Sequence, residues 1–374
     1  MTLLKNVTIY TGENKIENGY VNFDQTINEV GQMSSLSHFN DSDVIDGNHQ
    51  ILVPGFIDVH CHGGYDTDFM DGDPESIVSM VDEFAANGVT SVFATTMTQS
   101  DGKIEAAIQG IKTAMNMTNK LVGIHLEGPF INGKHRGAQP EECIRNFDSK
   151  IITSWQRLAD DNIKLVTVAP EKVGYSEFAK TCDDLGIKLS AGHTDAKFAE
   201  LEAANIKRIT HLYDAQREFH HREVGPLGYT LLRKPMVEII TDGFHVSNEA
   251  IKIAYQSLGS SNIELVTDSM RARHSHQTIS ELGGQRVIVS GGQARLENGK
   301  LAGSVLDFTT AFKNIISMTG CEIEDAVKMS STNQAREFGL TKKGKLLVGF
   351  DADFNLLNHD LDLIKTYSLG KATN

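Results

Sequence analysis

The chain has 374 residues, with 35 Lys and Arg against 49 Asp and Glu, a formal net charge of −14 at pH 7. Hydrophobic residues make up 40% and charged residues 22%, enough apolar side chain for a substantial core, which excludes global disorder. An acidic chain without a long Lys/Arg run repels phosphate backbones, so a nucleic-acid binder is excluded, and a small anionic ligand needs a local basic pocket.

The opening MTLLKNVTIYTGENKIENGY lacks the apolar core of a leader, and no 18-residue apolar run occurs anywhere, so no membrane association is expected. Cys61, Cys143, Cys182 and Cys321 are scattered without a CxxC pair, which fits a reducing cytoplasm better than a disulfide framework. Short strand-like runs, LLKNVTIYTG, GYVNFD and NHQILVPG, fill the first 54 residues, and KLLVGFDADFNLLN repeats the pattern from about residue 345. Both termini together are therefore expected to form a small β-sandwich domain (1–54 and 345–374) flanking a larger domain over 55–344.

Within that larger segment eight apolar runs recur, at 54–60, 89–95, 121–127, 164–170, 187–193, 207–212, 237–243 and 263–268. The gaps carry helical spacing, as in PESIVSMVDEFAANG, which Gly88 ends. Near-continuous apolar strands alternating with helices indicate a parallel sheet covered by helices, and eight units indicate closure into a (β/α)8 TIM-like barrel. No strand is followed by GxGxxG, which counts against an open dinucleotide-binding sheet. The glycine-rich GGQRVIVSGGQ (283–293) reads as a hairpin inserted after strand eight.

Barrel active sites form at the C-terminal ends of the strands, and polar residues collect there. Strand one ends in His60-Cys61-His62, strand three in His125-Leu126-Glu127, strand five in His193 and strand six in His211. Strand seven runs into His245 and strand eight into Asp268. Imidazoles and carboxylates converging on one rim are a ligand set for a divalent transition metal. His60 and His62 are two apart, so an extended strand presents both on one face. Asp268 is suited to take a proton from a water made acidic by such a metal and to return it to a leaving group. REFHHR (217–222) and RARHSH (271–276) concentrate basic side chains near the same rim and favour an anion-binding role there.

PGFIDVHCHG, GIHLEGPFI, LSAGHTDA, THLYDA, DGFHVS, LVTDSM, LAGS and KGKLLVGFDAD resemble, in order, the N-acetylglucosamine-6-phosphate deacetylases of the amidohydrolase superfamily. The resemblance implies hydrolysis of the N-acetyl group of N-acetyl-D-glucosamine 6-phosphate to D-glucosamine 6-phosphate and acetate, in amino-sugar catabolism. It implies a metal held by Glu127, His193 and His211, and a second at His60 and His62 with Glu127 bridging. One or two ions of zinc or iron per subunit fit that ligand set. It further implies Asp268 as base and then acid, and Arg222 and His245 as phosphate-binding side chains. Ala138 and the stretch Leu301, Ala302, Gly303 and Ser304 match substrate-lining positions. Family members are generally homodimers, and Arg222 is the side chain expected to reach the neighbouring subunit's site.

Two positions depart from the family pattern. Asp214, followed by Ala215, replaces a usual Asn and puts a carboxylate where phosphate is expected, while Gln139 stands where many members have His near the acetamide. The galacto epimer of the substrate is the nearest rival reading. A cyclic-amide hydrolase is disfavoured because the only lysine of strand four, Lys164, sits at its N-terminal end. A non-catalytic sugar-phosphate sensor on the same barrel would have lost metal ligands or the strand-eight Asp, and none is lost.

Overall fold

Alternating and fully apolar runs in the first 54 residues fold into five strands, Thr2–Tyr10, Lys15–Phe23, Ile27–Gln32, Asp43–Asp46 and Ile51–Pro54. This computed structural model describes residues 1–36 and 43–373. Three strands from the far end of the chain, Phe354–Leu357, Leu363–Ser368 and Lys371–Ala372, complete one eight-stranded, mostly antiparallel sheet. Ile51–Pro54 joins the halves, running antiparallel to Phe354–Leu357 and parallel to the first strand. Leu4, Val7, Ile9, Val21, Leu52 and Phe354 bury its core, and the ring of Phe23 meets Phe354 edge-on at 4.9 Å.

All eight barrel strands form where the apolar runs place them: Phe56–Cys61, Val89–Thr96, Leu121–Glu127, Ile163–Val168, Lys188–Ala191, Arg208–Ile209, Met236–Ile239 and Ile263–Leu265. They are parallel and lie side by side in chain order. The last four are shorter than the apolar runs suggest. Their ladders stop two or more residues before His193, His211, His245 and Asp268, where the backbone leaves the sheet.

Each strand is followed by a helix whose apolar stripe packs on the barrel. In the first, Pro74–Ala86, Asp73 caps the start by accepting from the Ser76 N–H, and Ile77, Met80, Val81 and Phe84 are buried at helical spacing. Gly88, at φ +96°, ends it as anticipated. Strands one and eight share no regular ladder but are joined near the mouth. Asp268 N–H donates to the His60 carbonyl (2.8 Å), His62 N–H to the Ser269 carbonyl (2.8 Å), and the Thr267 hydroxyl to Asp58 (2.6 Å). The seam itself thus sets His60 and His62 beside Asp268.

The insertion after strand eight has one strand more than the expected hairpin: Ile279–Leu282, Gln285–Ser290 and Gln293–Leu296 form an antiparallel sheet. Its Leu282 and Val287 pack against Met97, Ala138 and Met270 in a small apolar cluster that extends the barrel mouth. Among the described residues no helix is long and apolar enough to cross a membrane.

Candidate active site

Three of the strand-end side chains owe their direction to a backbone that most residues avoid. His193 (φ +46°), His211 (φ +29°) and Asp268 (φ +46°) lie in the left-handed region, at a cost of about 1–3 kcal/mol each. Such strain persists only where the surroundings fix it, and it gathers at sites of function. Gly192 is required just before His193, because a Cβ there would lie 2.8 Å from Thr167 on the fourth strand and from Thr210 just past the sixth.

Glu127 is the centre of the site. Its Oε1 lies 3.0 Å from His193 Nε2, 2.9 Å from His211 Nε2 and 3.5 Å from His60 Nε2, and its Oε2 lies 3.1 Å from His62 Nε2. Asp268 Oδ1 is 3.5 Å from His60 Nε2 and 3.3 Å from His62 Nε2. His193 Nδ1 meets the carbonyl of His135 (2.9 Å) and His211 Nδ1 that of Asp214 (3.2 Å). Each Nδ1 therefore carries a proton, and each Nε2 faces Glu127, the nitrogen that a cation held between them would take as ligand.

This donor set fits a divalent cation. Glu127, His193 and His211 bring ligand atoms within 4.8 Å of one another, and so do His60, His62 and Glu127. The Nε2 atoms of His193 and His211 stand 3.2 Å apart, a repulsive approach of two lone pairs unless a positive charge lies between them. His60 Nε2 is buried without a hydrogen-bond partner among the described residues. Without an ion the charges balance through protons. Burial opposes ionisation of Glu127, yet His60 and His193 hold its carboxyl well below the usual range. Burial likewise opposes ionisation of Asp268, and chiefly His60 takes it down to about 2. His62 rises to about 9 against its burial, through Asp268 and Glu127. A dication replaces those protons with the same sign of charge.

The centre opens into a cavity of about 300 Å³ lined by twelve of the anticipated residues: His62, Glu127, Ala138, Gln139, His193, His211, Asp214, Ala215, His245, Asp268, Leu301 and Gly303. His60 lies beneath it, fully buried. Ala302 is packed under the inserted sheet, and Ser304 supports Asp268 from behind, its N–H donating to the Asp268 carbonyl at 2.8 Å. Gln139 donates one N–H to Glu127 (2.6 Å) and accepts from the Thr98 N–H (2.7 Å), leaving one N–H for a ligand.

The basic clusters divide differently from the sequence expectation. In RARHSH, Arg271 pairs with Asp71, and Arg273 and His274 both contact Asp307, so these side chains are held by carboxylates outside the cavity. In REFHHR, Arg217 pairs with Asp195 at 2.9 Å, while Arg222 is exposed beside His221 and does not line the cavity of its own chain. Lys134, His135 and Lys300 line it instead. The first two lie in INGKHR, directly after HLEGPFI, a basic pair in a loop rather than at the end of an apolar run.

Asp214 faces His245 across the far end of the cavity. His245 binds Asp242 through Nδ1 (2.7 Å), and although burial works against its protonation, that contact lifts it to about 9. Burial pushes the Asp214 carboxyl up to about 6, and its Oδ2 has no hydrogen-bond partner among the described residues. A carboxyl raised on folding stabilises the fold below its unfolded pKa, and that contribution is lost as pH rises through the folded value. Asp214→Asn is therefore expected to raise the melting temperature by a few degrees at pH 8 and by less at pH 5, in thermal unfolding at both pH values. A larger gain at pH 5 would contradict it.

The sequence model of the family described as Amidohydrolase family matches residues 51–373. The chain is 38% identical to an N-acetylglucosamine-6-phosphate deacetylase of Bacillus subtilis (strain 168), across 98% of this chain and 96% of that protein. Its fold is similar to that of the Thermotoga maritima N-acetylglucosamine-6-phosphate deacetylase, with a TM-score of 0.89 at 32% identity over 100% of this chain and 99% of the other. It is also similar to a mutant of the Mycobacterium smegmatis enzyme solved in complex with N-acetyl-D-glucosamine-6-phosphate, with a TM-score of 0.94 at 26% identity over 100% and 99% of the two chains.

Proposed function

The chain belongs to the amidohydrolase family and, within it, to the N-acetylglucosamine-6-phosphate deacetylases, and on that premise we propose how its site works. The reaction is hydrolysis of the N-acetyl group of N-acetyl-D-glucosamine 6-phosphate to D-glucosamine 6-phosphate and acetate, a step of amino-sugar catabolism. The observation that carries this reading is the convergence of four imidazoles on Glu127 with Asp268 beside them at the cavity floor.

Glu127, His193 and His211 would hold one divalent ion, and His60 and His62 with Glu127 would hold a second, each zinc or iron. When bound, the metal makes a water acidic and polarises the acetamide carbonyl. Asp268 accepts a proton from the attacking water at its carboxylate as the new C–O bond forms. It then delivers that proton to the amide nitrogen, so that the C–N bond breaks and acetate and the amine leave. Gln139 directs its remaining N–H toward the acetamide. Leu301 and Gly303 close over the sugar, with Ala302 and Ser304 holding that stretch in place.

His245 and the backbone at Asp214 and Ala215 receive the phosphate, and Ala138 lines the route between the two ends. Arg222 reaches the same phosphate from the neighbouring subunit of a homodimer, which accounts for its exposure on a single chain. The terminal segments 1–54 and 345–374 form one domain and 55–344 the catalytic barrel. The enzyme works in the cytoplasm.

Acetate release from the gluco and galacto N-acetylhexosamine 6-phosphates and from their unphosphorylated forms tests the reading. Fastest release from the phosphorylated gluco sugar is expected, and a preference for the galacto epimer or for plain sugars would overturn it. Arg222→Ala removes a charge-assisted contact worth about 1.5–3 kcal/mol, so KM for the phosphorylated sugar should rise ~10–150-fold with little change in kcat. An unchanged preference for phosphorylated over plain sugar would sink the assignment of Arg222.

A further inference from the structure

Below the ligand layer the barrel interior holds charges that the reaction does not use. Glu238 on the seventh strand is fully buried, and its Oε2 lies 2.9 Å from His60 Nδ1 and 3.4 Å from the backbone N of His211. Its register partner on the eighth strand is Glu264, also fully buried, so two carboxylates stand side by side. Arg208 of the sixth strand is inserted against both, with Nη2 2.6 Å from Glu264 and 3.5 Å from Glu238, and its Nη1 is 3.4 Å from Glu337.

Neighbouring carboxylates in a barrel interior are strongly unfavourable unless each is paired, and apolar side chains of similar volume would fill the layer without that cost. The layer therefore calls for a role, and the geometry of His60 supplies one. An imidazole can offer Nε2 to a metal only if the other nitrogen keeps the proton and the ring is held in one direction. His125, whose ring packs edge-on against His60 at 4.5 Å, does not hold it, because its own Nε2 is turned to the Thr167 hydroxyl at 2.8 Å. Glu238 is the acceptor placed at His60 Nδ1.

We propose that Glu238 is a positioning residue for the metal centre. It accepts the Nδ1–H of His60, fixes the tautomer that turns Nε2 toward Glu127 and Asp268, and so sets the affinity of the position formed by His60, His62 and Glu127. Arg208 balances its charge from the other side. This rests on the reading that those three residues hold a divalent ion.

The test is zinc binding by the purified protein, measured as ions per chain after equilibration in buffers of graded free zinc. The parent is expected to hold two ions. Glu238→Met, which keeps the length of the side chain and removes the acceptor at Nδ1, is expected to weaken one of them about 10–100-fold and leave the other unchanged. Glu264→Gln, which touches Arg208 but not His60, is expected to keep both affinities even where its melting temperature falls. Parent-like binding by Glu238→Met overturns the proposal, and so does an equal loss in Glu264→Gln, which would mark a general loosening of the barrel.

A second measurement needs no variant. Nitrogen-15 NMR of the histidine-labelled zinc protein should show His60 protonated on Nδ1 and metallated on Nε2, and the reverse assignment overturns the proposal. A parent that holds one ion and still releases acetate overturns this inference alone. A parent that releases acetate with no ion overturns the reading of the reaction as well.

Discussion

Asp268→Asn is expected to bind metal like the parent and to release acetate about 10²–10⁴-fold more slowly, the range over which a positioned proton-transfer group accelerates a reaction. The amide keeps the volume and a carbonyl oxygen near His62, and its backbone N–H still donates to the His60 carbonyl, so the barrel seam is retained. What is lost is an acceptor for the water proton and a donor for the departing amine. Asp268 has its carboxyl at about 2 without an ion, held there against burial chiefly by His60, and is ionised at neutral pH as a base must be. Metal analysis and initial rates on one preparation decide the matter. Near-normal turnover would refute the proton-transfer role, and loss of metal would make Asp268 a ligand before anything else.

Glu127→Gln is expected to do the opposite: little metal retained, and acetate release at background. Both clusters of possible ligands above the barrel floor pass through this one side chain, whose two oxygens face four imidazoles between 2.9 and 3.5 Å away. An amide there turns one N–H toward nitrogens that need to face a cation and removes the negative charge that offsets one. Ions per chain, with circular dichroism to establish folding, would check it. A variant that held the parent's metal content would show that the histidines suffice and that Glu127 is no bridge. The pair of substitutions thus separates holding an ion from moving a proton.

Much of this architecture was legible because it follows from short-range pattern. A barrel strand buried on both faces carries few exposed charges and a high share of apolar side chains, so Val89–Thr96 and Leu121–Glu127 could be read as runs, and the helix after the first strand announced itself by spacing and by Gly88. Residues that end those runs must lie at the mouth, which is why the centre was visible as a set of endings.

Partnership across the chain was not legible. RARHSH is a basic cluster only in sequence, since Asp71 meets Arg271 from 200 residues away and Asp307 takes Arg273 and His274. Lys134 and His135 belong to the cavity because the loop after strand three folds back until the His135 carbonyl meets His193. Glu238 sat within an apolar run, VEII, and only the register of three adjacent strands reveals that it points inward toward His60 and Arg208.

The strand Ile51–Pro54 leads directly into the one that carries His60 and ends just before His62, and its antiparallel neighbour is Phe354–Leu357, with Pro54 opposite Phe354. During synthesis these partners emerge far apart in time, since 300 residues separate Pro54 from Phe354. At about 5–20 residues per second, roughly 15–60 s pass before the later strand exists at all. Until then Ile51–Pro54 has an open edge on that side, and Leu52 lacks the cover that Phe354 and Tyr367 give it. The terminal sheet is therefore completed only after every strand of the barrel has been made, so the barrel's first strand enters the fold from a segment whose own partner comes last.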